Sequence, residues 1–174
     1  MSDPFRLRVM KAVTQQLQII TPANGYQNDM SDFVDDVGRP ATRVFRGRLT
    51  FGENDPLPML VVVEDPKDNE TSNGGTNSGS AMNHFRILVQ GFVQDDPIHG
   101  LDPAYVLSAE VIKALVKAKV RGNILGLGPA APCVTAMSIG QPRHRTPPGS
   151  DSDVTHFVVP VTLTLAENLE APFA

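Results

Sequence analysis

The chain has 174 residues, a formal net charge of −4 and one cysteine, Cys133. A single cysteine excludes an intrachain disulfide framework and a multi-cysteine zinc site, and the acidic balance provides no basic footprint for nucleic acid. The longest apolar run, Met59–Val63, is far shorter than the roughly 20 residues of a membrane span, and the first residues lack a signal-peptide pattern. We therefore expect a soluble domain, made inside the cell, whose 14 glycines and 15 prolines favour many turns.

The N-terminal quarter divides into a predicted helix, residues 3–20, and a predicted solvated loop, residues 26–42. Pro4 suits the first helical position because its missing N–H would be unpaired there, and Ser2 or Asp3 can cap the helix. Apolar side chains three and four residues apart line one face: Met10, Val13, Leu17 and Ile20. The loop contains a small acidic cluster: Asp29, Asp32, Asp35 and Asp36.

Two strands are predicted next, over residues 43–51 and 59–64. The first alternates, with one face made by Phe45, Leu49 and Phe51 and the other by Val44, Arg46, Arg48 and Thr50. The second is apolar on both faces, which is typical of a central strand. A turn at 52–56 separates them, so we expect a hairpin.

The segment 65–83 differs from the rest of the chain in composition. Up to residue 80 it has no apolar side chain except Pro66, so it buries too little to offset the entropy of ordering. Polar loops of this length are usually functional or disordered, and its candidate interface residues are Asn69, Glu70, Asn73 and Asn77.

A third strand, residues 84–93, precedes a second helix, residues 104–119. Asp102 is placed to cap this helix and Pro103 to occupy its first position. Its apolar stripe is predicted to face the core, and Glu110, Lys113 and Lys117 are predicted to face water. The stripe consists of Ala104, Leu107, Val111, Ala114, Leu115 and Ala118.

The C-terminal part is predicted to contain two strands, residues 133–139 and 154–165, joined by a loop over 141–153. The loop contains Arg143, His144 and Arg145, and we expect an exposed histidine whose pKa is lowered by the two flanking charges. The last strand alternates, and its apolar face consists of Phe157, Val159, Val161, Leu163 and Leu165. Pro160 predicts that this strand lies at an edge of the sheet or has a bulge at that residue.

This order, α-β-β-β-α-β-β, predicts an α+β fold in which a mostly antiparallel sheet of about five strands packs with two helices. The polar segment separates two strands of one sheet, so it is not a linker between domains. We therefore predict a single domain over 1–174, with long polar loops at 65–83 and 141–153.

Few residues form a pattern that carries chemistry. Asp95, Asp96, His99 and His84 offer mixed N and O ligands for a metal, although turns and caps explain such residues more simply. Cys133 is predicted to be a small buried hydrophobe. Two arginine groups, Arg46 with Arg48 and Arg143 with Arg145, could meet acidic partners. Long loops without a convergent polar motif favour an assembly protein over an enzyme.

Several local patterns resemble the tail terminator (tail completion) family of tailed bacteriophages. The resemblance begins in the amphipathic helix Arg6–Val13 and continues in the strand Pro58–Val63. It includes the strand Phe85–Val93 running into a proline-containing loop, the helix Ala104–Lys119, and Val154–Phe157 entering the long last strand. It spans nearly the whole chain, and the length of 65–83 departs from the family pattern.

The resemblance implies a mixed α/β subunit of a six-membered ring, without catalysis or a cofactor. Such a ring caps the tail tube, stops its polymerisation and presents the surface that joins the head. Its partners would be further copies of the chain, the tail tube protein and a head–tail connector or stopper protein. It would bind neither membrane nor specific nucleic acid, although DNA could pass through it. The location would be the head–tail junction of the virion, after assembly in the host cytoplasm.

Three other functions stay open at this point. The chain could be a different neck or tail-tube component, which would form indefinite stacks where a terminator stops at one ring. It could be a small metal-binding enzyme that uses the Asp95, Asp96, His99 and His84 group. It could also be a ligand-binding module with a pocket between sheet and helices, although the sequence indicates no pocket chemistry.

Overall fold

The computed structural model of the chain describes residues 3–48, 50, 52, 54–66, 80–145 and 153–173. Within these ranges it has two helices and eight strands: α1 (Phe5–Gln18), β1 (Phe33–Val34), β2 (Pro40–Ala41), β3 (Val44–Arg46), β4 (Met59–Glu64), β5 (Ser80–Gln94), α2 (Asp102–Lys117), β6 (Cys133–Ile139), β7 (Arg143–Arg145) and β8 (Val154–Asn168). The predicted α+β class, with two helices and mostly antiparallel strands, is confirmed.

The main sheet has the order β3-β4-β5-β8-β6, and β7 pairs with β8 beyond the end of β6. β5 and β8 form its centre and pair antiparallel over their full lengths, from Ser80 opposite Asn168 to Gln94 opposite Val154. This pairing continues past the predicted start of β5, so residues 80–83 belong to a strand and not to the polar loop. Residues 67–79 of that loop lie outside the described residues.

The predicted hairpin between the first two strands is wrong, because β3 and β4 are parallel, with Val44 opposite Leu60. A hairpin reverses the chain in a short turn, whereas residues 47–58 carry it back to the start of β3 before β4 begins. In β3 Val44 is buried and Phe45 is half-buried, and Leu49 and Phe51 of the predicted strand lie outside the described residues. β3 ends at Arg46, because Gly47 adopts a left-handed φ of +64°.

Both helices pack on one face of the sheet and enclose the core. α2 lies on β5 and β8, and α1 contacts α2, β3 and β4. The predicted apolar faces of α2 and β8 are confirmed, since every residue named for each stripe is buried. Neither described helix is long and apolar enough to cross a membrane.

Pro160 is compatible with an inner strand because of where its missing N–H falls. Its partner on β5 is Leu88, while its carbonyl accepts a 2.8 Å hydrogen bond from the N–H of Gly140 on the other side. Gly140 lies between the end of β6 and the start of β7, so the strand at that side is already interrupted. The expectation that β8 is an edge strand is therefore wrong. The pairing is interrupted in the neighbouring chain segment, between β6 and β7.

Both predicted helix caps differ from the structure. Pro4 occupies the N-cap position of α1, and Asp3 binds the ammonium of Lys11 instead of a backbone N–H. α2 has Leu101 at its N-cap, so that Asp102 lies in the first turn, where its charge favours the helix dipole. Side-chain caps compete with ion pairs and loop geometry that the local sequence does not specify.

Glu110 of α2 is buried, whereas the sequence places it on the water-facing side. Its carboxylate accepts hydrogen bonds from the backbone N–H groups of Gln27 and Asn28 and from the Asn28 side chain at 2.8 Å. The segment 26–42 therefore does not only extend into solvent: its first residues pack on α2.

The same segment also forms the two-stranded β1–β2 hairpin, residues 33–41. The Asp35 carboxylate accepts the N–H groups of Val37 and Arg39 at 3.1 and 2.8 Å, and Gly38 has a φ of +81°, which closes the turn. The N–H of Asp35 donates to the carbonyl of Arg39 at 2.9 Å. The predicted solvated loop thus contains an ordered hairpin.

Candidate interface edges

The predicted loop containing Arg143, His144 and Arg145 is a strand, β7, at one edge of the described sheet. Arg143 lies opposite Val158, His144 opposite Phe157 and Arg145 opposite His156. Alternation directs His144 to the helix side, where Phe157 is buried, and both arginines to the other side. Arg143 and Arg145 are exposed, so they remain available at this edge.

His144 is half-buried against α2, so the expectation that it is exposed is wrong. Its ring stacks on Tyr105 with 3.8 Å between ring centroids, and its Nε2 lies 2.9 Å from the Oγ of Ser108. Burial lowers the pKa of His144, in the predicted direction, but the cause is desolvation and not the flanking arginines. These contacts attach β7 to α2.

The Ser108–His144 contact resembles a nucleophile–base pair only in its atoms. Ser108 is buried, and its Oγ already donates its one hydrogen to the carbonyl of Tyr105 at 3.0 Å. The histidine must then donate through Nε2, whereas a general base must accept the hydroxyl proton. The geometry is that of a structural contact.

His156 lies on the open side of the sheet, next to Arg145. Its ring is near that of Phe92, with 6.0 Å between centroids. Burial lowers the pKa of His156, and the positive charge of Arg145 lowers it further. This corner of the sheet therefore favours a neutral imidazole beside an exposed guanidinium.

The opposite edge of the described sheet is β3, where Arg46 is the last residue and is exposed. The sequence predicts that Arg48 shares a strand face with Arg46. This prediction is wrong, because Arg48 follows Gly47, beyond the end of β3. Its guanidinium binds the Asp55 carboxylate at 2.5 Å and the Thr50 carbonyl at 3.0 Å, and lies over the Phe45 ring. Arg48 thus closes its own loop, and Arg46 is the better placed of the two to meet a partner.

An open groove of about 680 Å³ adjoins the β3 edge. Its apolar lining comes from α1, from the end of β4 and Pro66 beyond it, and from the middle of β5; the residues are Leu7, Met10, Val63, Pro66 and Leu88. The polar members of the lining are Arg6, Arg46, Glu64 and Gln90. The groove therefore extends the apolar surface of this edge.

The two edges lie at the same level of the sheet. One row of paired residues crosses the sheet from β3 through β4, β5 and β8 to β7: Val44, Leu60, Gly91, Phe157 and His144. At the usual separation of strands, such a row spans roughly 19 Å. β3 and β7 are therefore at opposite ends of one sheet, with Arg46 at one end and Arg143 and Arg145 at the other.

The remaining predicted site residues have separate outcomes. Asn69, Glu70, Asn73 and Asn77 lie outside the described residues. Among the residues that the structure describes, no three of His, Cys, Asp or Glu come together to hold a metal. The Asp96 carboxylate instead accepts the N–H groups of His99 and Ile98, both at 2.8 Å, which lowers its pKa. Cys133 is buried, as predicted.

Sequence reasoning missed the α2 side of the β7 edge. Tyr105 and Val116 are exposed, and their spacing of eleven residues, three helical turns, places them on one side of the helix. The signal was present as apolar residues on the polar side of the stripe, but the core positions explained the helix without them.

No protein-family model matches the chain, and a search of the curated proteins gives no match.

Proposed function

We propose that this chain is a structural virion protein of the tail terminator type. In this function, copies of the chain close into a ring, of six members as in the family it resembles, on the end of the tail tube. The ring stops tube polymerisation and presents the joining surface for the head–tail connector or stopper at the head–tail junction. The role is non-catalytic.

The observation that carries the proposal is that the two edges of the described sheet differ. The β3 edge ends in Arg46 beside an apolar groove, whereas the β7 edge carries Arg143 and Arg145 beside α2. A ring needs two unlike surfaces on opposite sides of each subunit, since a head-to-tail contact closes only when the two differ. A rigid sheet between two such surfaces fixes the angle from one copy to the next.

The edge strands also suit a contact of limited extent. β3 and β7 have three residues each. Each of these two strands offers few backbone groups for strand pairing, although β6, Cys133–Ile139, forms a longer part of the edge on the β7 side. Side chains would then decide which surfaces associate, and growth would end when the ring closes.

The docking surfaces for the tube and the connector belong in this proposal to the two polar loops. The candidates remain Asn69, Glu70, Asn73 and Asn77 in the first loop.

Native mass spectrometry and electron microscopy of the purified chain, alone and with the tube protein, test this function. We expect one closed ring of fixed mass that binds the tube end and leaves tube length finite. Indefinite stacks would instead support a tail-tube component. A chain that stays monomeric at all concentrations, with and without tube protein, would contradict the proposal.

A further inference from the structure

We propose that the β1–β2 hairpin of one copy docks on the α2 surface beside β7 of the next copy. This inference rests on the proposed ring and identifies its lateral contact. The two surfaces are the hairpin, residues 33–41, and the α2–β7 surface, defined as Tyr105, Ala109 and Val116 with Arg143 and Arg145.

The hairpin presents apolar side chains that its own chain does not bury. Val34 is 66% exposed and Val37 is 69% exposed. The turn between them is held by the Asp35 carboxylate and by the left-handed Gly38. Two exposed valines on an ordered turn cost little entropy when they bind, which is typical of a preorganised contact.

The hairpin is attached at the β3 edge. The Arg43 guanidinium lies 4.6 Å from the centre of the Phe33 ring and donates to the Leu57 carbonyl at 3.0 Å. Arg43 directly precedes β3, whose first residue, Val44, begins the row that ends at His144. The hairpin and the α2–β7 surface therefore lie near the same level, at opposite edges of the sheet.

The α2–β7 surface is apolar along the helix. Tyr105 is 55% exposed and Val116 is 54% exposed, and Ala109 between them is also exposed. Their spacing of four and seven residues keeps them on one side of α2. Tyr105 meets β7 through His144, so this side of the helix continues into the strand edge.

The other side of α2 is occupied, which leaves this one for a partner. Glu110 binds the backbone of Gln27, and the Lys113 ammonium donates to the Gly25 carbonyl at 2.9 Å. Glu110 and Lys113 therefore both face the segment that follows α1. Tyr105 lies at the end of this apolar, solvent-facing stripe next to β7, and tyrosine is among the residue types that most often dominate binding energy at protein interfaces.

The charges of the two surfaces are complementary. Asp36 is exposed next to the hairpin valines, and β7 carries the exposed Arg143 and Arg145. Arg39, also exposed on the hairpin, is paired with Asp35, so Asp36 supplies the net charge of the hairpin, and opposite charges at the rim of an apolar contact select orientation. A second copy of this chain therefore satisfies the surface in both apolar and charged character.

The test is native mass spectrometry of the full chain over a concentration series. Val37→Asp and Val116→Asp should each raise the concentration at which the ring forms by about tenfold or more, because each places a charge in an apolar contact. Met82→Asp is the matched control, since Met82 is 56% exposed at the far end of β5. Circular dichroism confirms that the three variants fold.

Each outcome has a definite meaning. A wild-type ring that Val37→Asp and Val116→Asp leave unchanged would overturn the docking inference and leave the proposed function standing. Equal weakening by Met82→Asp would also overturn it, because the effect would then come from surface charge alone. A wild-type chain that never assembles would overturn the proposed function, and this inference with it.

A charge exchange provides a second measurement. Asp36→Arg and Arg145→Asp should each weaken assembly, because each places like charges in the contact. The double variant Asp36→Arg/Arg145→Asp restores an opposite pair between neighbouring copies and should recover most of the loss. Losses that simply add in the double variant would contradict a contact between the two surfaces.

Discussion

The ring of Phe157 on β8 occupies the space above Gly91 on β5, where any other residue would place a Cβ. Phe157 is also opposite His144 of β7. One aromatic side chain thus links the middle of the sheet to its β7 edge, and the glycine beneath it makes this possible.

Gly91→Ala should lower the free energy of unfolding by about 1–3 kcal/mol, because the new methyl group overlaps the Phe157 ring and one of them must move. Urea unfolding measures the change. Gly52→Ala is the control, since a Cβ at Gly52 meets no atom within 4 Å, and it should leave stability nearly unchanged. Equal losses in both variants would argue against the overlap.

Glu167→Gln should destabilise the chain by about 1–3 kcal/mol, because Glu167 is a buried acceptor for charged and neutral donors. Its oxygens bind Arg6 at 3.0 and 3.1 Å and Asn83 at 2.7 Å. Lys11→Gln breaks the more exposed pair with Asp3 and should cost well under about 1 kcal/mol. Thermal unfolding of the two variants compares them directly, and similar costs would contradict the role of burial.

The Glu167 carboxylate also makes the stability of the chain depend on pH in the acid range. Burial alone would raise the pKa of Glu167, but hydrogen bonds from Arg6 and Asn83 and the charge of Arg6 outweigh it and lower the pKa below 4.5. A lowered pKa means that this stabilisation is complete above about pH 4.5 and is lost as pH falls through the folded value. Glu167→Gln should therefore flatten the stability curve in that acid range, as urea midpoints measured against pH would reveal.

Glu110→Ala should cost about 1–3 kcal/mol, since it leaves the N–H groups of Gln27 and Asn28 without their carboxylate. Hydrogen exchange provides the specific readout, and the amides of residues 27 and 28 should exchange faster. Lys117→Ala on the same helix is the control, because Lys117 contacts the Tyr26 ring without bonding this backbone. Unchanged exchange at residues 27 and 28 in the Glu110 variant would be evidence against the contact.

Stability should fall as pH drops from about 7.5 to 5.5. The pKa values of His144 and His156 are lowered from 6.5, the first by burial and the second by burial and Arg145. The folded state then binds fewer protons than the unfolded state, so acid below about pH 6.5 favours unfolding. The double variant His144→Gln/His156→Gln should show a shallower decline in urea midpoints over this range. An unchanged slope would contradict these two assignments.

Alternating or helical apolar patterns determined which side chains face the core. The stripe of α2 and the alternation of β8 each follow from a local period, 3.6 or 2 residues, that does not depend on the partner element. The burial predicted from this period is wrong where a distant segment of the chain covers a polar residue. Glu110 is such a case, because the backbone that buries it comes from residues 27 and 28.

The candidate site was predicted only in its residue types. Arg46, Arg143 and Arg145 are exposed charges whichever strands carry them, and their sequence context indicates a surface role. Their positions at two opposite edges depend on strand order, and strand order follows from pairings between residues far apart in the chain. No local pattern encodes such a pairing.

The sequence by itself determined the α+β class, the two helices, the apolar faces of α2 and β8 and the buried Cys133, because burial periodicity is local. Only the tertiary structure decided that β3 lies parallel to β4, that residues 143–145 form an edge strand and that 33–41 form a hairpin. Short strands have too few residues to show a period. Their existence depends on the neighbouring backbone, which completes their hydrogen bonds only once the fold has formed.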